Sequence, residues 1–403
     1  MNKVRPSVGS RILFFLLLSG PPKFRLRDAS ASLDYVVDWV ILLQIAVWGI
    51  AGCWLLFYRR HDPSSDATEP PCLSSLNTLS AILFGLLSLS IFFSEAPAFS
   101  AFKVYQLVVT FAFVTLFTKT FGINETLNNL FIGCCILTLA DIAAALVMPE
   151  LVFVRSDFGS LRFRGDLIAQ TGCVSVIGLI LLLTAKSDLP KAKFAFWAVT
   201  FGGVLVFSLM RTSYLILFGV LLLAALRRPP IPVLRRVVTL ALLALPPLFD
   251  TLITALNAER NIEDIWTVSD RIGLWAYLID ATVAHGPLFG LGYFAASRVY
   301  APEYNPDLGN AHSAFMEVYV GGGLVSLVTF LVIWLILSRR VLKLYLSRPD
   351  GIGFAITGLF CAALCLNAVG GELQADPAGF CFWCVLATVA VFPCHRGMAT
   401  VRS

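Results

Sequence analysis

Charge is scarce in this sequence, and so is every signature of soluble catalysis. Lysine, arginine, aspartate and glutamate make up only 14% of the 403 residues, too few to cover a globule of this size with hydrated side chains. Histidine occurs four times and never at metal-ligand spacing, so zinc signatures are excluded. No glycine-rich phosphate loop joins a strand to a helix; Gly286–Gly292 is a turn-and-approach segment with no such unit around it. No serine nucleophile elbow, internal repeat or low-complexity tract is present. Basic residues come as short clusters between apolar runs, so the formal net charge of +5 carries no nucleic-acid signal. The alternating ten-residue segments of a membrane barrel are missing as well.

What remains is hydrophobic. Such residues account for 58% of the chain, and the mean hydropathy is +0.82. Continuous apolar runs of about twenty residues are membrane helices, since lipid obliges each backbone group to find a partner within its own segment. The expected fold is therefore all-α: a polytopic transmembrane helical bundle forming one integral membrane domain over residues 1–403. Eleven spans are expected, at 35–58, 74–94, 98–118, 125–148, 166–185, 193–209, 211–226, 236–256, 314–337, 352–371 and 377–394. Most of the ten cysteines lie inside these runs; Cys361, Cys365, Cys381 and Cys384 read as small buried hydrophobes, not as metal or redox ligands. The short run Ile12–Leu18 is followed by Pro21-Pro22 and basic residues without a small-residue cleavage site, so no cleavable signal peptide is expected.

The basic connectors set orientation. Arg227–Arg236 and Arg339–Arg348 fall on one side, which the positive-inside rule makes cytoplasmic. The opposite face then receives 148–164, 210–211, 372–377 and one long loop, 257–311. Lys23, Arg25 and Arg27 fall on the wrong side of this count, so the first thirty residues lie along an interface or form an extra short span. In the loop, Ser269 is a helix cap. Ile272, Trp275, Leu278, Ile279 and Val283 follow at helical spacing, and His285-Gly-Pro287 is a stop. A loop of this length with its own helix is expected to be functional.

Cationic and titratable groups gather on that outer face. Arg162 and Arg164 precede one span, Arg211 opens another, Arg271 starts the loop helix and His312 opens the span after the loop. An arginine at a helix end commonly only snorkels to headgroups. Several on one face around a structured loop suit an anionic, phosphorylated ligand, because guanidinium stays charged when partly desolvated and grips phosphate with a planar fork. Asp38, Lys103, Asp141 and Asp250 lie within or near spans; Asp141 or Asp250 in a proton path would make the chain a secondary transporter or flippase for an anionic lipid or metabolite. Glu317 shares a face with Ser313, whereas His312 faces Met316 and Tyr319.

The loop residues also resemble a known family. Asp270-Arg271-Ile-Gly-Leu-Trp275, His285-Gly-Pro-Leu-Phe-Gly290-Leu-Gly292, Ala311-His312-Ser-Ala-Phe-Met-Glu317 and Gly323-Leu-Val are similar to the O-antigen ligase and O-antigen polymerase superfamily. Arg164-Gly165 and Arg211-Thr-Ser match its earlier arginine positions, so the resemblance covers roughly residues 160–340. Ser313 stands where asparagine is commoner, and Ser326 where the family's Gly-x-x-Gly ends. The resemblance implies a GT-C-like membrane glycosyltransferase of the bacterial inner membrane, multi-pass, with its site facing the periplasm. It implies an undecaprenyl-diphosphate-linked glycan donor, a glycan or lipid A-core acceptor, and no cofactor or metal. His312, Arg271 and Arg211 take the catalytic positions, and Arg164, Arg162, Trp275, Ser313 and Glu317 the substrate-binding ones. It leaves open whether the chain ligates or polymerises, and whether His312 is a base or a phosphate ligand.

Overall fold

The computed structural model describes residues 5–20, 39–60, 75–155, 161–163, 171–186, 188–208, 210–227, 271–306, 308–348, 350–370, 373 and 376–391. Within them the chain is an all-α polytopic membrane protein. In chain order the helices are α1 (Val8–Ser19), α2 (Trp39–Arg60), α3 (Ser75–Leu89, continued by a 3-10 turn Ser90–Phe93), α4 (Pro97–Phe121), α5 (Ile123–Val147) and α6 (Pro149–Val152). A small hairpin, β1 (Phe153–Arg155) and β2 (Leu161–Phe163), comes next. Then follow α7 (Thr171–Thr184), α8 (Lys191–Ser208), α9 (Arg211–Arg227), α10 (Arg271–His285), α11 (Ala295–Tyr304), α12 (Ala314–Ser347), α13 (Gly351–Val369) and α14 (Pro377–Val391).

Ten of the eleven expected spans coincide with described helices; 236–256 lies outside the described residues, as do Asp38 and Asp250. Seven of the helices (α2, α3 with its 3-10 turn, α4, α5, α8, α12 and α13) are long and apolar enough to cross a membrane. The shorter apolar helices are α1, α7, α9 and α14. In the described part of the first thirty residues, α1 packs on α5, α2 and α14. Its Phe14 is buried, with ring centroids 4.9 Å from both Phe117 and Phe380.

The core forms where helices are apolar on all sides. Every residue of α7 is buried, as expected for a run with no polar face to turn outward. It packs among α5, α8, α9 and α13. Gly178 lets α8 close in, for a Cβ there would lie 2.5 Å from the Phe201 ring. The second such helix, α14, is buried from Pro377 to Val389 between α4 and α13. Some of the polar side chains inside the bundle join one helix to another. The Trp48 indole donates to the Gln106 carbonyl (3.2 Å) and the Thr110 hydroxyl (3.1 Å), and the Gln106 amide donates to Gln44 (3.2 Å). Outward-facing side chains are large and apolar: Leu42, Ile45 and Ile50 on α2; Phe196, Val199 and Val206 on α8; Leu324, Val328, Leu331 and Leu335 on α12. A belt of that extent is stable only against lipid.

One helix is broken, and the break positions everything that follows. Helix α12 is interrupted at Gly323, whose φ of 73° and ψ of −175° are open only to glycine. The loop segment after α10 fills the gap. Leu291 and Gly292 donate to the carbonyls of Val320 and Gly321 (2.9 and 3.1 Å), while Leu324 and Val325 donate to the carbonyls of Pro287 and Leu288 (2.9 and 3.4 Å). Those helix groups would otherwise bond each other at i→i−4. The motif His285-Gly-Pro-Leu-Phe-Gly-Leu-Gly292 is thus a plug that satisfies a helix break. Gly290, at φ 72°, allows the approach: a Cβ there would sit 2.5 Å from the Gly321 backbone.

Candidate functional site

Helix α10 ends where the sequence indicates, with the Gly286 amide donating to the Thr282 carbonyl at 2.9 Å. Its inward face differs from the expectation. Leu274, Leu278 and Thr282 are buried, whereas Ile272, Ile279 and Val283 are exposed. The stripe at i, i+4 and i+8 won because it meets Val320 and Ala311 in a satellite core beside the bundle. The expected cap, Ser269, lies outside the described residues. Trp275 sits half-buried at the edge of that core, and its indole donates to the carbonyl of Ala311 at 2.8 Å.

That bond is one of three converging on the turn before α12. The Ala311 amide donates to Glu317 Oε1 (3.0 Å), and the His312 amide donates to Asn310 Oδ1 (2.9 Å). Glu317 is buried at 3% exposure, and the Ser297 hydroxyl of α11 lies 2.8 and 2.7 Å from its two carboxylate oxygens. The held residue is strained: His312 has φ 50°. Among the described residues only it and Phe294 have positive φ without being glycine. For a residue with a Cβ that conformation costs about 1–2 kcal/mol and persists only when its surroundings over-determine it. Ser313 follows, buried, at the N-terminal cap of α12, and its carbonyl accepts the Glu317 amide at 2.9 Å.

Arg271 lies one helical turn before Trp275 on the same face of α10. Its guanidinium donates to the Val369 carbonyl at the C-terminal end of α13, where the helix dipole favours a cation. Arg211 is the first residue of α9, and the structure describes its backbone position alone. It occupies the same end of the bundle as Val369. Val220 of α9 would lie 3.5 Å from a Cβ on Gly358 of α13. Counting outward from that contact to Arg211 and to Val369, at 1.5 Å per residue, leaves the two about 3 Å apart along the axis. Arg162 is on β2, paired with Val154, in a hairpin packed against α8; Arg164 lies outside the described residues. The structure therefore brings Arg271, Trp275, His312, Ser313 and Glu317 together and sets the Arg211 backbone at the same end.

Two further cations lie nearby. The Lys103 ammonium of α4, 7% exposed, and the Arg298 guanidinium of α11 sit 4.9 and 5.0 Å from the centroid of the Phe294 ring. Sequence reading placed Lys103 only as one polar residue near a span, and it missed α11 altogether. Ten residues that are weakly hydrophobic on the whole, with proline inside them (Pro302), offer no apolar run that reads as a helix. Ser297, Arg298 and Asn310 were not among the expected site residues. In the loop, Tyr277 donates to Glu303 (2.7 Å) and Tyr300 to Glu95 (2.9 Å). Burial first, then the hydrogen bond and charge of Glu95, push Tyr300 up to about 12; the Glu303 hydrogen bond raises Tyr277. Both phenols stay protonated near neutral pH.

A family model described as O-antigen ligase matches residues 164–331, from Arg164 through the broken part of α12. Those residues are an O-antigen ligase domain. The family so described, the O-antigen ligase/polymerase superfamily, is an enzyme type that transfers glycosyl groups from a lipid-linked glycan to a glycan acceptor, and this membrane protein is similar to it over those residues. The matched segment of the O-antigen ligase domain holds Arg211, Arg271, the plug, His312 and Gly323, so the residues assembled above all belong to it. No curated protein matches the chain.

Proposed function

We propose that the chain transfers or polymerises a glycan from an undecaprenyl-diphosphate-linked donor, at the periplasmic face of a bacterial inner membrane, in surface or exopolysaccharide biosynthesis. The acceptor is a glycan or the lipid A core. Its hydroxyl oxygen attacks the anomeric carbon as the bond from that carbon to the diphosphate breaks, in one displacement that inverts configuration. The hydroxyl proton passes to an imidazole nitrogen of His312. The electron pair of the broken bond stays on the departing diphosphate, where Arg271, Arg211 and Arg164 neutralise the developing charge without a metal. Arg162, Trp275 and Ser313 line the approach. Preorganised donors of this kind are each worth about 10²–10³ in rate.

The observation that carries the reading is the strained His312, held through the two peptides that lead into it, one of them bonded by Trp275, a helical turn from Arg271 on α10. Strain of that sort collects at working sites. The alternative, a transporter coupled through Asp141 or Asp250, draws less support. Asp141 is fully buried in α5 and accepts a hydrogen bond from Thr171 of α7 at 3.1 Å, a contact that joins two helices. Complementation of a polysaccharide-deficient deletion strain with His312→Ala and Arg271→Ala tests the proposal. Both proteins reach the membrane at normal levels and fail to restore polysaccharide. Full restoration by both removes the assignment, and NMR showing retained anomeric configuration removes the single displacement.

A further inference from the structure

We infer that Glu317 and Asn310 are positioning residues that hold the His312 backbone in its left-handed conformation, and that Glu317 works through this turn and not by touching substrate. The inference rests on the assignment of His312 above and assigns Glu317 a different task from the substrate contact its place in the sequence implies. The carboxylate is buried and spends its oxygens inward, on the Ser297 hydroxyl and on the amide of Ala311. Asn310 accepts from the next amide, that of His312 itself (2.9 Å), in a turn closed by its own side chain. Trp275 holds the carbonyl between them at 2.8 Å. The two successive peptide groups leading into His312 are therefore anchored at both amides and at the carbonyl that joins them. Helix α11 joins the arrangement through Ser297, and the Ala296 amide, bonded to the Gly292 carbonyl at 3.1 Å, ties that helix to the plug.

This role requires an acceptor at each position but no negative charge. Glutamine at 317 presents its carbonyl oxygen to the Ala311 amide and its NH₂ to Ser297, whose hydroxyl is also 3.2 Å from the Phe294 carbonyl and turns to donate there. Aspartate at 310 likewise keeps the acceptor for His312. Alanine at either position frees the peptide, and an imidazole displaced by about 1 Å loses about 10²-fold in rate.

The test uses full-length protein in detergent with the lipid-linked oligosaccharide that accumulates in a deletion strain. Glu317→Gln and Asn310→Asp keep most of the turnover, while Glu317→Ala and Asn310→Ala lose about 10²-fold in kcat with the donor KM little changed. Asn310 is a half-exposed turn residue, so its pair reports even where Glu317→Ala does not fold. Glu317→Gln as inactive as Glu317→Ala in folded protein overturns the inference, because the charge itself then acts. So does wild-type kcat in Asn310→Ala, or a loss confined to KM. An active His312→Ala sinks the wider functional proposal instead, which keeps the two failures apart.

Discussion

Replacing Gly323 by alanine tests whether the plug and the helix break form one device. The added Cβ would sit 2.2 Å from the Leu288 oxygen and 2.3 Å from its carbonyl carbon, both backbone atoms that cannot swing aside. A φ of 73° with ψ of −175° costs a residue bearing a Cβ about 1–3 kcal/mol. Relief requires the loop to retreat, breaking the bonds from Leu324 to Pro287 and from Val325 to Leu288. Each contributes about 0.5–1.5 kcal/mol, so the total destabilisation is about 2–6 kcal/mol. The plug also carries Gly292, Phe294 and Ser297 toward Glu317, so its retreat loosens the turn at His312. Thermal unfolding in detergent, followed by tryptophan fluorescence beside a glycan-transfer assay, should show Gly323→Ala melting lower and turning over poorly. Gly85→Ala in α3 is the control: nothing lies within 4 Å of the new methyl, and stability should hold or rise by up to about 1 kcal/mol. If Gly323→Ala melts with the wild type, the plug account is wrong.

Further outcomes follow from individual contacts. Asp141→Asn keeps an acceptor for the Thr171 hydroxyl, so glycan transfer should survive; abolished polysaccharide in well-expressed protein would bring the coupled-transporter alternative forward. Tyr300 is raised from 10.0 to about 12, so its share of stability is intact below pH 10 and lost as pH rises through about 12. An alkaline melting series should therefore be flat to pH 10 and fall steeply above it, with Tyr300→Phe removing that component. An equal fall below pH 10 in both proteins contradicts the assignment.

How much of this was legible in the residues varies with the range of the interaction. Membrane spans were readable because the bilayer imposes its thickness locally: twenty apolar residues mean a helix whatever lies beside it. Ten expected spans meet described helices for that reason, and counting spans is what led to the expectation that Arg211, Arg271 and His312 share one face. The face of α10 was misjudged because two apolar stripes run along it, and only the satellite core shows which one is buried. α11 escaped because it is short, weakly hydrophobic and contains a proline.

The sequence by itself determined an all-helical membrane protein with a structured loop, since hydropathy and turn chemistry act within a few residues. Tertiary structure alone decided that Gly290 meets Gly321 and Gly323 meets Leu288, thirty-odd residues apart in each case, to splice a loop into a broken helix. It alone showed that Glu317 faces inward, toward Ser297 and Ala311. Hydrogen bonds between distant segments leave no periodic trace, and a left-handed histidine cannot be read from its neighbours. It takes the packed loop to hold it there.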